Sequence, residues 1–248
     1  LYFCAEFSTR NSCIRFLPHT GLALLEACEA VTGIPVQSIP LDDPRVIEQI
    51  TKINEDFTLY NTLPERACRY FGLSMFEVKK HGTDEASPAW DKLFLLMPLK
   101  TADDLARISS LMHSAGAWKG NGEHLIESSS VNAQSIIACR EDVFEYLTQK
   151  GMEHPSANAL MHYICMGRAK RSSPDLINGF LPHQWKQLCA CGVDDWFIES
   201  CQKISYLFPR SHNIQLAISA MRLVWYTLYY PEQAKEAFEQ VLAENDEN

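Results

Sequence analysis

An arginine and a histidine stand directly after a proline, where one predicted helix ends and another begins. Pro209 is followed by Arg210 and His212, and proline suits the first turn of a helix because no backbone N–H is needed there. The first turn of a helix presents unpaired N–H groups that attract anions, and cationic side chains beside them strengthen the attraction. These residue types could form an anion site here. Because most such corners are only structural, a packed helical corner with two solvated side chains is the interpretation that the residues alone favour.

Two helical patterns flank this corner. On the upstream side, apolar residues recur at spacings of two and three: Trp196, Ile198, Cys201, Ile204 and Leu207. On the downstream side, they recur at spacings of three and four: Ile214, Ala217, Ile218, Met221, Val224, Trp225 and Leu228. Both patterns place apolar residues along one face of a helix, so the corner is expected to join two amphipathic helices.

The composition is that of a globular protein with one or two domains. The chain has 248 residues, of which 46% are hydrophobic and 21% are charged, and this length suffices for a sizeable core. Glycine and proline are not enriched, and the helical patterns are long. We therefore expect a mainly α fold with at most a short N-terminal strand, over residues 13–17.

The net charge of −9 argues against a free-standing DNA-binding domain, because such domains are usually basic. A local basic patch on an acidic body stays possible. Basic residues cluster at 79–81, which we interpret as a solvated loop, and at 167–171.

Several kinds of chemistry find no support in the sequence. The nine cysteines are irregularly spaced and show no zinc-site pattern with the histidines, which favours reduced cysteines in a cytoplasmic protein. No apolar run reaches the roughly 18 residues of a membrane span, so we expect no membrane partner. Phosphate loops, nucleophile elbows and HExxH helices are absent.

Four blocks of the sequence resemble a known family. Residues 195–212 read D-W-F-I-E-S-C-Q-K-I-S-Y-L-F-P-R-S-H and resemble the fingers region of the PolC-type α subunit of bacterial DNA polymerase III, which typically has W-Y-I-D-S-C-x-K-I-K-Y-M-F-P-K-A-H-A. Residues 32–44, 108–126 and 137–142 resemble further family blocks in the same order. Because the blocks keep their order over residues 14–231, the resemblance is specific.

The resemblance implies a multi-helix, fingers-like module of a C-family DNA polymerase. Residues 1–53 resemble the junction between palm and fingers. Residues 54–100 match poorly and are expected to form a divergent insert of helices and loops, and residues 101–248 are expected to form the helical fingers-like domain.

The resemblance also implies which residues bind ligands. Arg140, Arg210 and His212 would point at the triphosphate of an incoming nucleotide. Arg168, Lys170 and Arg171 lie where the family carries an R-K-G-K run and would contact DNA. Arg210 stands where the family has lysine, which keeps the charge but changes its geometry from a point to a fork. Residues 213–216 read N-I-Q-L where the family has A-A-A-Y. The larger side chains at 213–215 oppose a close contact between this helix and a nucleotide.

Catalysis by such a polymerase needs two metal ions held by clustered carboxylates, and in the family three palm aspartates supply them. The D-x-D segment that carries two of them has no counterpart in this chain, and Arg15 aligns with the third. An arginine repels a divalent cation. We therefore expect no catalytic residue and no metal ligand in this chain, with Mg²⁺ and dNTP used only if a palm is supplied elsewhere.

Two functions follow as hypotheses. In the first, the chain is a fingers module that binds primer–template DNA and dNTP weakly in DNA replication and is not catalytic alone. In the second, it is a degenerate, non-catalytic derivative that acts as a protein-interaction or regulatory module, and other replication proteins are the candidate partners. Arg140, Arg210, His212 and the basic loop favour the first, whereas the net charge and Arg15 favour the second.

Overall fold

The structure is a computed structural model that describes residues 6–9, 12–15, 20–51 and 93–246. It opens with a hairpin of β1 (Glu6–Thr9) and β2 (Ser12–Arg15), which pair antiparallel with Glu6 opposite Arg15. The helices that follow are α1 (Thr20–Thr32), α2 (Pro44–Thr51), α3 (Ala102–His113), α4 (Glu123–Glu127), α5 (Arg140–Gln149), α6 (His154–Cys165), α7 (Pro182–Ala190), α8 (Asp195–Lys203), α9 (Arg210–Tyr229) and α10 (Pro231–Asp246). The mainly α prediction is confirmed.

Local capping signals place several helix starts where the sequence predicts them. Thr101 Oγ1 accepts a hydrogen bond from Asp104 N at 3.1 Å, and Asp104 Oδ2 accepts one from Thr101 N at 2.9 Å. This reciprocal pair satisfies two N–H groups at the start of α3. Asp43 caps α2 in a similar way, since its Oδ1 accepts from Arg45 N at 2.9 Å.

The sequence also predicts helices over residues 133–137 and from residues 172–175 onward, and the structure differs from the prediction at both. Residues 133–137 form a turn rather than a helix, within which Asn132 Oδ1 accepts from Gln134 N at 2.8 Å. The helix expected to open at residues 172–175 begins instead at Pro182. The reason is a left-handed pair, Asn178 with φ 51° and Gly179 with φ 84°, because that backbone conformation cannot continue a right-handed helix.

The contacts divide the chain into two compact units, residues 1–77 with 219–248 and residues 78–218. Helix α9 contributes residues to both. The domain boundaries expected after residues 53 and 100 stay predictions, and most of the expected insert, residues 52–92, lies outside the described residues.

The first unit packs α1 against α10, together with α2 and the C-terminal part of α9. Its buried side chains include Leu24, Cys28, Val46, Ile50, Leu223, Val224, Tyr226, Ala237 and Phe238. Tyr226 donates its hydroxyl hydrogen to Ile34 O at 2.6 Å, and this hydrogen bond allows a polar group to be buried at low cost. The buried face of α9 is therefore wider than the predicted stripe, which omits Leu223 and Tyr226.

The second unit holds α3 to α8 and the start of α9. Its core includes Leu105, Ile108, Ile137, Val143, Leu160, Ile164, Phe180, Phe197, Cys201, Ile204 and Leu207. Trp118 is only 4% exposed, so it is a core residue rather than a surface on which a base could stack. The connection between α8 and α9 lies within this unit, and its ends are anchored by the buried residues Ile204 and Leu207.

Replacing Gly179 with alanine should destabilise the chain much more than replacing Gly151. Both glycines have φ near 85°, so both variants carry the strain of a left-handed residue, roughly 1–2 kcal/mol. A Cβ at Gly179 would lie 1.9 Å from Ala169 O, whereas a Cβ at Gly151 meets nothing within 4 Å. Urea unfolding monitored by circular dichroism measures the difference, and equal losses in the two variants would contradict this packing.

Stability should also fall as the pH rises above 10, in part through Tyr226. Burial raises the pKa of Tyr226 to about 12. Between pH 10 and 12 the unfolded state loses this proton while the folded state keeps it. The contribution of Tyr226 to the free energy of unfolding is therefore fully present below pH 10 and is lost as the pH rises through the folded pKa. Urea unfolding of Tyr226→Phe should show a shallower decline between pH 10 and 12, and Tyr230→Phe serves as the control. An unchanged slope in Tyr226→Phe would contradict the assignment.

Candidate anion-binding site

The connection between α8 and α9, residues 204–209, is bound through its backbone to three other parts of the chain. Ser205 N and Tyr206 N both donate to Ala115 O, at 2.8 and 3.2 Å, and Leu207 N donates to Cys165 O at 3.0 Å. Phe208 O accepts from Arg140 N at 3.1 Å. We call this segment the α8–α9 linker. It draws together three regions that are far apart in sequence.

Two glycines allow this close packing. Gly116 and Gly167 have φ of 82° and 67°, and each lies against backbone. A Cβ at Gly116 would lie 2.2 Å from Lys203 O, and one at Gly167 would lie 2.5 Å from Ser205 O. Any other residue would push these chain segments away from the linker.

Arg140, the first residue of α5, is oriented by the linker. Its Nε donates to Leu207 O and its Nη2 donates to Tyr206 Oη, both at 2.8 Å. Its guanidinium also lies over the Tyr206 ring, 5.4 Å from the centroid, where the ring face attracts a cation. Because a guanidinium has five N–H donors, this arrangement orients Arg140 while leaving donors for an anion.

The basic loop at 168–171 lies beside the same linker. Residues Arg168–Lys170 form a 3-10 turn around the buried Ala169, and Lys170 Nζ donates to Ser205 Oγ at 3.0 Å. Arg168, Lys170 and Arg171 are exposed. A cavity of about 360 Å³ is lined in part by Lys170 and Arg171, with hydroxyl and amide side chains from Ser172, Ser173, Asn178 and Gln202.

Arg140 and Arg168 act on the same buried thiol. Burial raises the pKa of Cys165, and the positive charges of Arg140 and Arg168 lower it in opposition. Arg140 contacts Tyr206 and Lys170 contacts Ser205, so these two cations lie along neighbouring residues of the linker.

His212 lies on the other side of the linker's last residues. Its ring stacks on Phe208 with centroids 4.8 Å apart, and it meets His113 edge to face at 6.4 Å. His113 is held in turn, since its Nδ1 donates to Ser109 O at 2.8 Å. The two histidines and Phe208 form a half-buried aromatic cluster beside the first turn of α9.

Arg210 is held by carboxylates from α5. Its Nη1 and Nη2 donate to the two oxygens of Glu145, each at 2.8 Å, and Nη2 also donates to Asp142 Oδ1 at 3.0 Å. Its backbone N donates to Glu141 Oε2 at 2.7 Å. The hydrogen bond with Glu145 raises the pKa of Arg210 further above its ordinary value. A carboxylate of the chain itself thus occupies the N-terminus of α9.

The structure brings together some of the predicted site residues and separates others. Arg140 and Lys170 contact neighbouring residues of the linker. Arg210 contacts Asp142 and Glu145, which lie roughly 140–200° around α5 from Arg140. That Arg140, Arg210 and His212 bind one ligand together stays a prediction.

Sequence reasoning missed the residues that orient the cations. Tyr206 has no distinctive spacing, and its role depends on a contact across 66 residues. Glu141 and Asp142 look like an ordinary acidic first turn, and Asp142 does cap α5, since its Oδ2 accepts from Ala138 N and Cys139 N at 2.8 and 2.9 Å. Their second role, at Arg210, has no local signal.

Other candidate sites can be assessed only over the part of the chain that the structure describes. In that part, no group of three or more histidine, cysteine or acidic side chains could hold a metal ion, and no helix is long and apolar enough to cross a membrane. Six cysteines in residues 20–51 and 93–246 are free thiols, of which Cys28, Cys139, Cys165 and Cys201 are buried and Cys189 and Cys191 are not.

Comparison with known proteins extends the resemblance seen in the motifs. No protein-family model matches the chain. It is 28% identical over 225 residues to the DNA polymerase III PolC-type of Caldanaerobacter subterraneus and 29% identical over 217 residues to that of Clostridium perfringens. Each alignment covers 87% of this chain and 14% of the relative.

A third relative covers nearly all of the chain. The DNA polymerase III PolC-type of Ureaplasma parvum is 27% identical over 256 residues, 98% of this chain and 16% of the relative. The chain thus spans a small part of the curated relatives it matches, and the matches agree with one another in name. The chain is homologous to a segment of PolC-type DNA polymerase III.

Proposed function

We propose that the chain is a fingers-like module that binds primer–template DNA and incoming nucleotide, and that it does not transfer nucleotides by itself. The homology supports a role related to a replication polymerase. The observation that carries the finer proposal is that Arg140 and Lys170 contact neighbouring residues of the α8–α9 linker, Tyr206 and Ser205. Two cations with neutral partners on one short segment are a local anion-binding feature on a chain whose net charge is −9.

In this proposal one group of cationic side chains binds the nucleotide triphosphate and another binds the DNA phosphates. Arg140, oriented by Tyr206, and His212, stacked on Phe208, face the triphosphate of the nucleotide. Arg168, Lys170 and Arg171 contact phosphates of the DNA, because exposed basic side chains on a loop can follow a flexible backbone. Arg210 joins the triphosphate contacts only when its ion pair with Glu145 is broken.

The proposal assigns no metal chemistry to this chain. Among its 248 residues there is no D-x-D segment, and Arg15, at the end of β2, aligns with the third family aspartate. His19, which aligns with a family histidine, lies outside the described residues. Metal-dependent nucleotide transfer would therefore need carboxylates supplied by another polypeptide or chain segment.

One observation favours the second hypothesis, that of a regulatory or protein-interaction module. Glu141, Asp142 and Glu145 neutralise Arg210 and cap α9, so that part of the predicted anion site is filled by the chain's own side chains. If no binding to DNA or nucleotide is measured, this arrangement indicates a fold maintained for contacts with other proteins.

Arg140→Ala should weaken binding to primer–template DNA about three- to tenfold at low salt, because it removes an oriented phosphate contact. Fluorescence anisotropy of labelled primer–template at about 50 and 200 mM salt measures this, with and without the matched dNTP, which should tighten binding. Binding should weaken steeply with salt, since phosphate contacts release counterions.

Lys186→Ala is the matched control for this experiment. Lys186 is an exposed residue of α7, so the variant loses the same charge away from the linker and should bind DNA almost as well as the wild type. The proposal fails if the two variants bind alike, or if the complex is tight and insensitive to salt.

The purified chain should not extend a primer in the presence of Mg²⁺ and all four dNTPs. Electrophoresis of a labelled primer after incubation measures extension, and an active DNA polymerase in a parallel reaction shows that the primer can be extended. Template-dependent extension that co-purifies with the chain would overturn the non-catalytic assignment.

A further inference from the structure

The first turns of α5 and α9 meet at the end of the α8–α9 linker, and each helix begins with an arginine. Arg140 N donates to Phe208 O at 3.1 Å, and Arg210 follows Phe208 by two residues. The N-termini of two helices, ten and twenty residues long, therefore lie next to each other. Their partial positive charges add to those of the arginines and favour an anion at this place.

The anion at this place is supplied by the chain itself. Glu141 accepts from the backbone N of Arg210, and Glu145 accepts from both terminal nitrogens of its side chain. Arg210 also borders a cavity of about 330 Å³ that is lined by Arg107 and by two acidic residues, Asp103 and Asp104. An oxyanion that enters this region must compete with Glu145 for the Arg210 guanidinium.

The fork of an arginine makes this competition effective. A guanidinium binds the two oxygens of one carboxylate at once, whereas a lysine ammonium offers a single point charge. The pair is accessible to solvent, since the Arg210 and Glu145 side chains are 39% and 49% exposed. Exposed ion pairs contribute little stability, so a polyvalent anion can displace Glu145 at small cost.

We propose that Glu145 is a specificity-determining residue that withholds Arg210 from anionic ligands, so that only a polyphosphate strong enough to displace its carboxylate gains this contact. The inference rests on the proposed nucleotide-binding function and names what limits affinity at that site. With Glu145 displaced, Arg210 Nη1 becomes available to a ligand, while Nη2 keeps its hydrogen bond to Asp142 Oδ1. Monovalent and weakly charged anions leave the pair intact.

The test is a double-mutant cycle with inorganic tripolyphosphate as the probe. Isothermal titration calorimetry in low-salt buffer without divalent metal compares the wild type, Glu145→Gln, Arg210→Ala and the double variant. Glu145→Gln should raise the affinity about 1.5- to 5-fold, the range that corresponds to one exposed ion pair. Arg210→Ala should weaken binding to the wild type less than it weakens binding to Glu145→Gln, and it should abolish the gain in the double variant.

Two further variants separate the inference from simpler effects. Glu199→Gln removes the same charge from an exposed position on α8 and should not raise the affinity. Arg210→Lys keeps the charge but lacks the fork, so Glu145 should hold the side chain less well. The lysine should then contact the ligand and raise the affinity for tripolyphosphate even with Glu145 present. Circular dichroism melts check that each variant folds. If Arg210→Ala does not fold, Arg210→Lys still tests the inference.

Each outcome decides the matter. A gain in tripolyphosphate affinity that depends on Arg210 and is absent from Glu199→Gln supports the inference. Measurable binding by Glu145→Gln alone, with none by the wild type, supports it as well. A gain that persists without Arg210, or no gain in a wild type that binds, overturns the inference but leaves the proposed function standing on Arg140. No tripolyphosphate binding by the wild type or Glu145→Gln overturns the inference and removes the support for a nucleotide pocket.

Discussion

The pairing of the α8–α9 linker with its neighbours is the constraint on which the second unit depends. The linker's backbone groups lie among buried residues, and such groups must be hydrogen-bonded. Ala115 O, Cys165 O and Arg140 N supply the partners, and each comes from a separate helix end. Gly116 and Gly167 bring these ends close enough to reach. The ends of α3, α5, α6 and α8 are thereby held around one short segment.

The cations near the linker differ in the charge of their partners. Arg140 and Lys170 have neutral partners, a tyrosine hydroxyl and a serine hydroxyl. Arg210 has carboxylate partners that cancel its charge locally. Helix α5 takes part in both kinds of contact, because its arginine and its acidic residues project on different sides.

The homology and the structure support different parts of the functional argument. The PolC-type relatives indicate where the fold comes from and tie the chain to a replication polymerase. They match it over only a small part of their own length. The proposal of ligand binding therefore depends on the linker and its cations. The bidentate pair of Arg210 with Glu145 gives a physical role to the arginine that stands where the family has lysine.

The sequence by itself determined the mainly α class, the starts of α2 and α3, the resemblance to PolC-type DNA polymerase III, and the set of cations to consider. These features depend on signals within about four residues, such as the pair of Thr101 with Asp104, or on ordered motifs. Only the tertiary structure decided which cations act together. Arg140 finds Tyr206 66 residues away, and Arg210 finds Glu145 65 residues away. No local spacing encodes such partners, because they follow from how helix ends pack around the linker.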